Sequence, residues 1–263
     1  MTSIVEFDHV SLERSQRRIL DHITWQIRPG EQWVLLGPNG SGKTSLLTLL
    51  MGYEWPTEGR ITVLGHSYGR VDLRDVRKTL GWVSQHLADW MTRDHGHEQV
   101  QDIVKSGIDA TIGRGLQPLP AGDTRAILEL FDLTRLAQSP FRALSQGEKT
   151  RALLARAWMA DARLLILDEP CSGLDIAGRE HFLTILNHIM HSGEKAVPVI
   201  YVTHHAEEIL PLFSHALILK EGQILAQGPI ESTLTSAHLS RAFELPLVIH
   251  TRNGRRWVEV MPA

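Results

Sequence analysis

A chain of 263 residues is long enough to bury one substantial α/β core without disulfide or metal staples. Its 43% apolar and 22% charged residues are ordinary globular composition, and a formal charge of −3 gives no general attraction for nucleic acid or an anionic membrane surface. Its single cysteine, Cys171, excludes an internal disulfide and fits a reducing compartment.

In chain order, residues 4–12 and the alternating run 23–27 read as strands, and Arg28-Pro29-Gly30-Glu31 as a turn. The apolar run 33–36 is of buried-strand type and feeds a glycine-rich loop, then a helix over 45–51. Residues 60–64 and 80–84 are further strand candidates. From about 86 to 142 the texture turns helical, with patterns at 100–105 and 124–130 separated by a Gly/Pro-rich piece, 113–122; this reads as an inserted lobe. Alternation then resumes: helix 151–159, buried strand 164–167, helix 178–189 and strand 197–202. Residues 216–219 and 223–226 form a hairpin pattern across Lys220-Glu221-Gly222. A second hairpin, 247–250 with 257–260, flanks Asn253-Gly254, whose residue types suit a tight turn with two positive φ angles.

Gly37-Pro38-Asn39-Gly40-Ser41-Gly42-Lys43-Thr44 matches G-x-x-x-x-G-K-[ST] between an expected strand and an expected helix. Glycines there let successive N–H groups turn toward phosphate oxygens, and the helix adds its positive end. Lys43 is expected on the β/γ phosphates of ATP, with Thr44 on Mg²⁺ and Ser45 beside it at the helix start. Downstream, Leu164-Leu165-Ile166-Leu167-Asp168-Glu169 is an apolar strand ending in two acids. Such a strand delivers its C-terminal end to the ligand crevice of an α/β sheet. Asp168 is expected to organise Mg²⁺, and Glu169 to face the attacking water.

With these motifs in order, the sequence resembles the ATP-binding-cassette (ABC) ATPase family over nearly its whole length. Leu144-Ser145-Gln146-Gly147-Glu148 looks like the family's signature, whose serine and glycine act on the γ-phosphate held by the other protomer; the same letters also make a helix-capping pattern. The resemblance implies roles for Gln85 with Mg²⁺ and water, for Asp175 in a loop reaching across a dimer, and for His204 at the γ-phosphate. It implies an α/β fold: a RecA-like core with an antiparallel β subdomain (1–85 and 144–235), an inserted helical subdomain (86–143) and an extension (236–263). Where the family often has an aromatic under the adenine, the spacing points to Arg14, which either stacks on the base or is a solvated turn residue. The stretches Cys171-Ser172-Gly173-Leu174-Asp175, Tyr201-Val202-Thr203-His204-His205 and Phe213-Ser214-His215 are similar to a bacterial subgroup related to molybdate-transport ATP-binding proteins.

Three features tempt toward other chemistry. His95-Gly96-His97-Glu98 lacks a second ligand group at metal spacing and reads as a loop. His181, His188 and His191 read as a polar helix face, and Cys171 as a packing residue. The expected partners are a second ATPase protomer and separate transmembrane permease chains; no direct nucleic-acid contact is expected. Met1-Thr2-Ser3-Ile4-Val5-Glu6 does not read as a signal peptide, and no run approaches the ~18 apolar residues of a span. The expected location is cytoplasmic, peripheral on the inner face of the membrane. The competing function is a soluble ATPase of the same family working on ribosomes or DNA; a plain P-loop kinase does not explain the signature or Gln85. Trp90 and Met91, after Gln85, are read either as a groove for a membrane-chain helix or as lobe core.

Overall fold

A computed structural model describes residues 3–108, 124–160, 162–191 and 197–262; the Gly/Pro-rich stretch 113–122 lies outside the described residues. The chain begins with β1 (Val5–Arg14), β2 (Arg17–Ile27), β3 (Trp33–Leu36), α1 (Lys43–Leu50), β4 (Glu58–Val63), β5 (His66–Ser67) and α2 (Leu73–Lys78). There follow β6 (Leu80–Ser84), α3 (Gln85–His95), α4 (Val100–Lys105), α5 (Thr124–Leu130), α6 (Gln146–Met159), β7 (Leu164–Asp168) and α7 (Ile176–His191). The last elements are β8 (Val199–Thr203), β9 (His215–Lys220), β10 (Gln223–Pro229), α8 (Ile230–Thr233), α9 (Ser236–Phe243), β11 (Leu247–Arg252) and β12 (Arg255–Val260). Two compact units result, Met1–Arg77 with Pro198–Ala263, and Lys78–Val197.

In the first unit, β1 pairs antiparallel with β2 and β4, giving the order β2-β1-β4-β5. Alternation of Val5 and Phe7 with Glu6 and Asp8 buries one face and wets the other. The ring of Phe7 lies 6.0 Å from Trp25, and Trp25 meets Trp33 edge-on at 5.7 Å. These aromatic contacts fasten the antiparallel sheet to β3. The strand β3 runs parallel to both β8 and β9, and β10 returns antiparallel beside β9. Every residue of β3 and β8 is buried, which explains their unbroken apolar runs.

In the second unit, β6 and β7 pair in parallel, with Ser84 opposite Asp168. Helix α6 packs on β6 and on α4. Gly81 permits that approach: a Cβ there would sit 2.5 Å from Leu165 Cδ2 and 3.0 Å from Ala157 Cβ. The mixed α/β architecture agrees with the sequence expectation. One local difference concerns α3, which begins at Gln85, ahead of the helical patterns expected at 100–105 and 124–130. Ser84 is the reason: its hydroxyl accepts the Leu87 N–H at 3.1 Å and caps the helix.

Candidate functional site

The phosphate loop lies in the first unit. Burial of all four β3 residues anchors its entry, and α1 anchors its exit. Gly37 passes so close to β9 that a Cβ would stand 2.3 Å from the Leu219 carbonyl oxygen. Gly42 caps α1 with φ 104°, a conformation that excludes ordinary side chains. The Lys220-Glu221-Gly222 turn supports the loop, because the Gly222 N–H donates to Ser41 O at 2.9 Å.

Lys43 is buried, and its Nζ donates to Gly37 O at 2.8 Å and to Pro38 O at 3.1 Å. Two loop carbonyls thus help to hold the ammonium at the loop. No side chain caps α1 and no acid stands in its first turn, so the N–H groups of Lys43, Thr44 and Ser45 form a positive terminus. Ser41 Oγ is buried with no hydrogen-bond partner among the described residues. An uncapped helix start, a buried cation and an orphaned hydroxyl make a donor set that fits a phosphate chain.

Arg14 ends β1, and its guanidinium forms a forked pair with Glu54, Nε to Oε1 at 2.7 Å and Nη2 to Oε2. The Arg14 hydrogen bond holds the Glu54 carboxyl below its ordinary range. Its edge is therefore committed to Glu54, while its flat face is the part that stacking would use.

His204 follows the buried strand β8. Its ring lies 4.1 Å from that of His205. Behind the pair, Glu208 is 3% exposed. Its Oε2 accepts from Tyr201 Oη at 3.0 Å and Thr203 Oγ1 at 2.7 Å, and Thr203 Oγ1 accepts the His205 N–H at 3.0 Å. Sequence reasoning missed Glu208; a glutamate just after two histidines reads as solvated until its burial is seen.

The remaining candidates lie in the second unit. β7 buries Leu164, Leu165, Ile166 and Leu167, each worth roughly 1.5–3 kcal/mol on burial. That apolar rod presents Asp168 half-exposed at its end, opposite Ser84, so Gln85 and Glu169 leave from adjoining strand ends. Glu169 has φ 47°, and its carbonyl accepts the Ser172 N–H at 3.0 Å. Gln85 donates to Asp89 Oδ1 at 2.8 Å and accepts from Gln146. The structure therefore joins Gln85 directly to the signature segment.

Ser145 is the N-cap of α6 in a full capping box with Glu148: the Ser145 N–H donates to Glu148 Oε2 at 2.7 Å and the Glu148 N–H to Ser145 Oγ at 3.4 Å. Gly147 leaves ordinary contact distance, 3.6 Å from a built Cβ to Leu174 Cδ2. Asp175 caps α7 by accepting the Gly178 N–H at 2.7 Å. Both Ser145 and Asp175 thus have helix-capping work in this structure. Met91 is fully buried, whereas Trp90 is half-buried, edge-on to His95 at 5.4 Å. His95 pairs with Glu98 at 2.8 Å, and no group of three or more His, Cys, Asp or Glu gathers for a metal among the described residues. Cys171 is buried. No helix among them is long and apolar enough to cross a membrane.

A family model described as ABC transporter matches residues 20–172. The uncharacterized ABC transporter ATP-binding protein YlmA of Bacillus subtilis (strain 168) is 43% identical over 249 residues, covering 93% of this chain and 92% of that protein. The ABC transporter ATP-binding protein ModF of Escherichia coli (strain K12) is 32% identical over 210 residues, covering 77% of this chain and 41% of ModF. Among solved structures, cbiO1 of Clostridium perfringens, part of the ABC transporter complex cbiONQ, superposes with a TM-score of 0.74 at 26% identity, covering 88% and 90% of the two chains.

Proposed function

Because this chain belongs to the ABC transporter family of ATP-binding, ATP-hydrolysing proteins, we propose that it is the energy-coupling subunit of a transporter whose membrane-spanning part is supplied by other chains. The observation that carries the ATP-binding half of this reading is the phosphate loop, with Lys43 seated on loop carbonyls that a triphosphate would replace and α1 uncapped beneath it; the transport half is supported by the ABC transporter ATP-binding proteins that the chain resembles.

In the proposed mechanism the loop Gly37 to Ser45 cradles the phosphates, every residue but Pro38 offering a backbone donor, and Lys43 moves from Gly37 O and Pro38 O onto the β/γ oxygens. Thr44, Gln85 and Asp168 would hold Mg²⁺; hydroxyl, amide and carboxylate oxygens are the hard donors that this ion takes. When bound, Mg²⁺ offsets charge on the β and γ oxygens. Glu169 accepts a proton from water as the water oxygen attacks the γ-phosphorus. The bond from that phosphorus to the β–γ bridging oxygen breaks, releasing ADP and phosphate. His204 donates to the γ-phosphate, and Arg14 lays its guanidinium face under the base.

Ser145, Gln146 and Gly147 act on the nucleotide of a second copy, and the loop ending at Asp175 reaches toward it. The working unit is therefore a homodimer. We assign 1–85 and 144–235 to the ATP-binding core, 86–143 to the helical insertion and 236–263 to the extension. The assembled protein sits on the inner face of the membrane through its permease chains. Affinity purification from detergent-solubilised membranes tests the transport role. A multi-span protein should co-purify in stoichiometric amount, and recovery with ribosomes or DNA in its place would overturn it.

A further inference from the structure

The C-terminal hairpin of β11 and β12 makes a connection that no part of the ATPase reading uses. A two-stranded hairpin is marginal alone in water, so its position comes from what it touches. Its first strand is tied to α9: the Leu247 N–H donates to Ser240 Oγ at 2.9 Å and the Ile249 N–H to Ser236 Oγ at 3.0 Å. Its second strand is tied to α8, where buried Arg256 donates to Glu231 Oε1 at 2.5 Å. Its turn lies against Pro211, within 2.8 Å of where a Cβ on Gly254 would stand.

Thus braced, the hairpin delivers Arg255 to the 3-10 turn Ala206–Glu208, directly behind His204 and His205. Both Nε, at 3.1 Å, and Nη2, at 2.5 Å, donate to the Glu207 carbonyl oxygen. No side chain caps the start of that short turn, and a cation on its carbonyl end is favoured by charge and by hydrogen bonding. On the inner side, Glu208 grips Tyr201 and Thr203.

We propose that Arg255 is a positioning residue for ATP hydrolysis: with Glu208 it clamps the turn from two sides and fixes where His204 presents its ring. The inference rests on the reading of His204 as the γ-phosphate contact. It makes the C-terminal hairpin part of the catalytic apparatus. Glu208 and the bond from the His205 N–H to Thr203 Oγ1 hold the turn on its inner side, and without Arg255 its outer side loses the bonds to the Glu207 carbonyl, so that the 204–207 backbone shifts. Nucleotide capture by the phosphate loop is untouched, so the defect belongs to turnover.

The test is a mutant cycle on the full chain with three readouts: phosphate release, affinity for a fluorescent ATP analogue, and thermal midpoint. Arg255→Met should lower kcat about tenfold, with affinity within about twofold and the midpoint essentially kept. Arg255→Lys, which keeps the charge and one donor, should restore much of the rate. In a His204→Ala background, Arg255→Met should produce no further loss, since the group it positions is gone. Normal turnover by Arg255→Met, or a loss that multiplies with that of His204→Ala, would overturn the proposal. Should Arg255→Met fail to fold, the same comparison with Arg255→Lys decides: a two- to fivefold defect present with His204 and absent without it supports the clamp, and a defect unchanged by His204→Ala refutes it. Full activity of His204→Ala itself would instead sink the γ-phosphate reading, and the clamp with it.

Discussion

At the scale of single residues, the two ends of the proposed chemistry separate cleanly. Glu169→Gln keeps size and hydrogen bonding but removes the base. It should retain ATP binding while turnover falls by about 10²–10⁴-fold, the range for loss of acid–base catalysis. Lys43→Ala should lose binding instead, because the buried ammonium and its charge on the phosphates are gone. Equilibrium binding beside phosphate release checks both, and normal turnover by Glu169→Gln would remove Glu169 from the mechanism. The glycines, Lys43 and the two acids were legible because each sits in a local pattern of neighbouring letters. Glu208 and Arg255 were not. Their partners, Tyr201, Thr203 and the Glu207 carbonyl, acquire meaning only through burial and through a contact spanning 48 positions in the chain.

At the scale of elements, the apolar pattern was informative wherever a segment is buried throughout or on a definite face. The strands β3, β7 and β8, the helix α4 and the hairpin turn at Asn253-Gly254 all stand where the pattern put them, the turn with φ 52° and 73°. Helix α3 was not picked out as a pattern of its own because its residues are mostly polar and its start depends on one capping hydroxyl, Ser84. Helix α2 and the α8–α9 pair were also passed over, being short segments with few apolar repeats. The structure divides the question posed by Trp90 and Met91: Met91 is core and Trp90 an edge. Met91→Ala should therefore cost about 2–5 kcal/mol and lower the thermal midpoint visibly. Trp90→Ala should lower it less while weakening capture of the membrane chains. Scanning calorimetry and co-purification separate the outcomes. A larger midpoint loss for Trp90→Ala than for Met91→Ala would return Trp90 to the core.

At the scale of the whole molecule, the dimer model makes a complementation prediction. Lys43→Ala and Ser145→Arg chains should each be inactive alone. Mixed, they should form heterodimers with one intact composite site and recover part of the turnover. A wild-type chain that stays monomeric at saturating ATP yet turns over normally would refute the model. Ser145 is also the N-cap of α6, so Ser145→Arg needs a folding control; loss of an N-cap costs about 1 kcal/mol. The backbone of Glu169 bears on heat tolerance. A non-glycine residue at φ 47° carries roughly 1–2 kcal/mol of steric cost, which the fold absorbs at the residue proposed as the base. Glu169→Gly should consequently melt higher than the wild type by about 2–4 °C while hydrolysing almost nothing. Laboratory selection for heat resistance alone would then favour discarding this side chain, so the carboxylate persists only where the rate of ATP turnover is itself under selection.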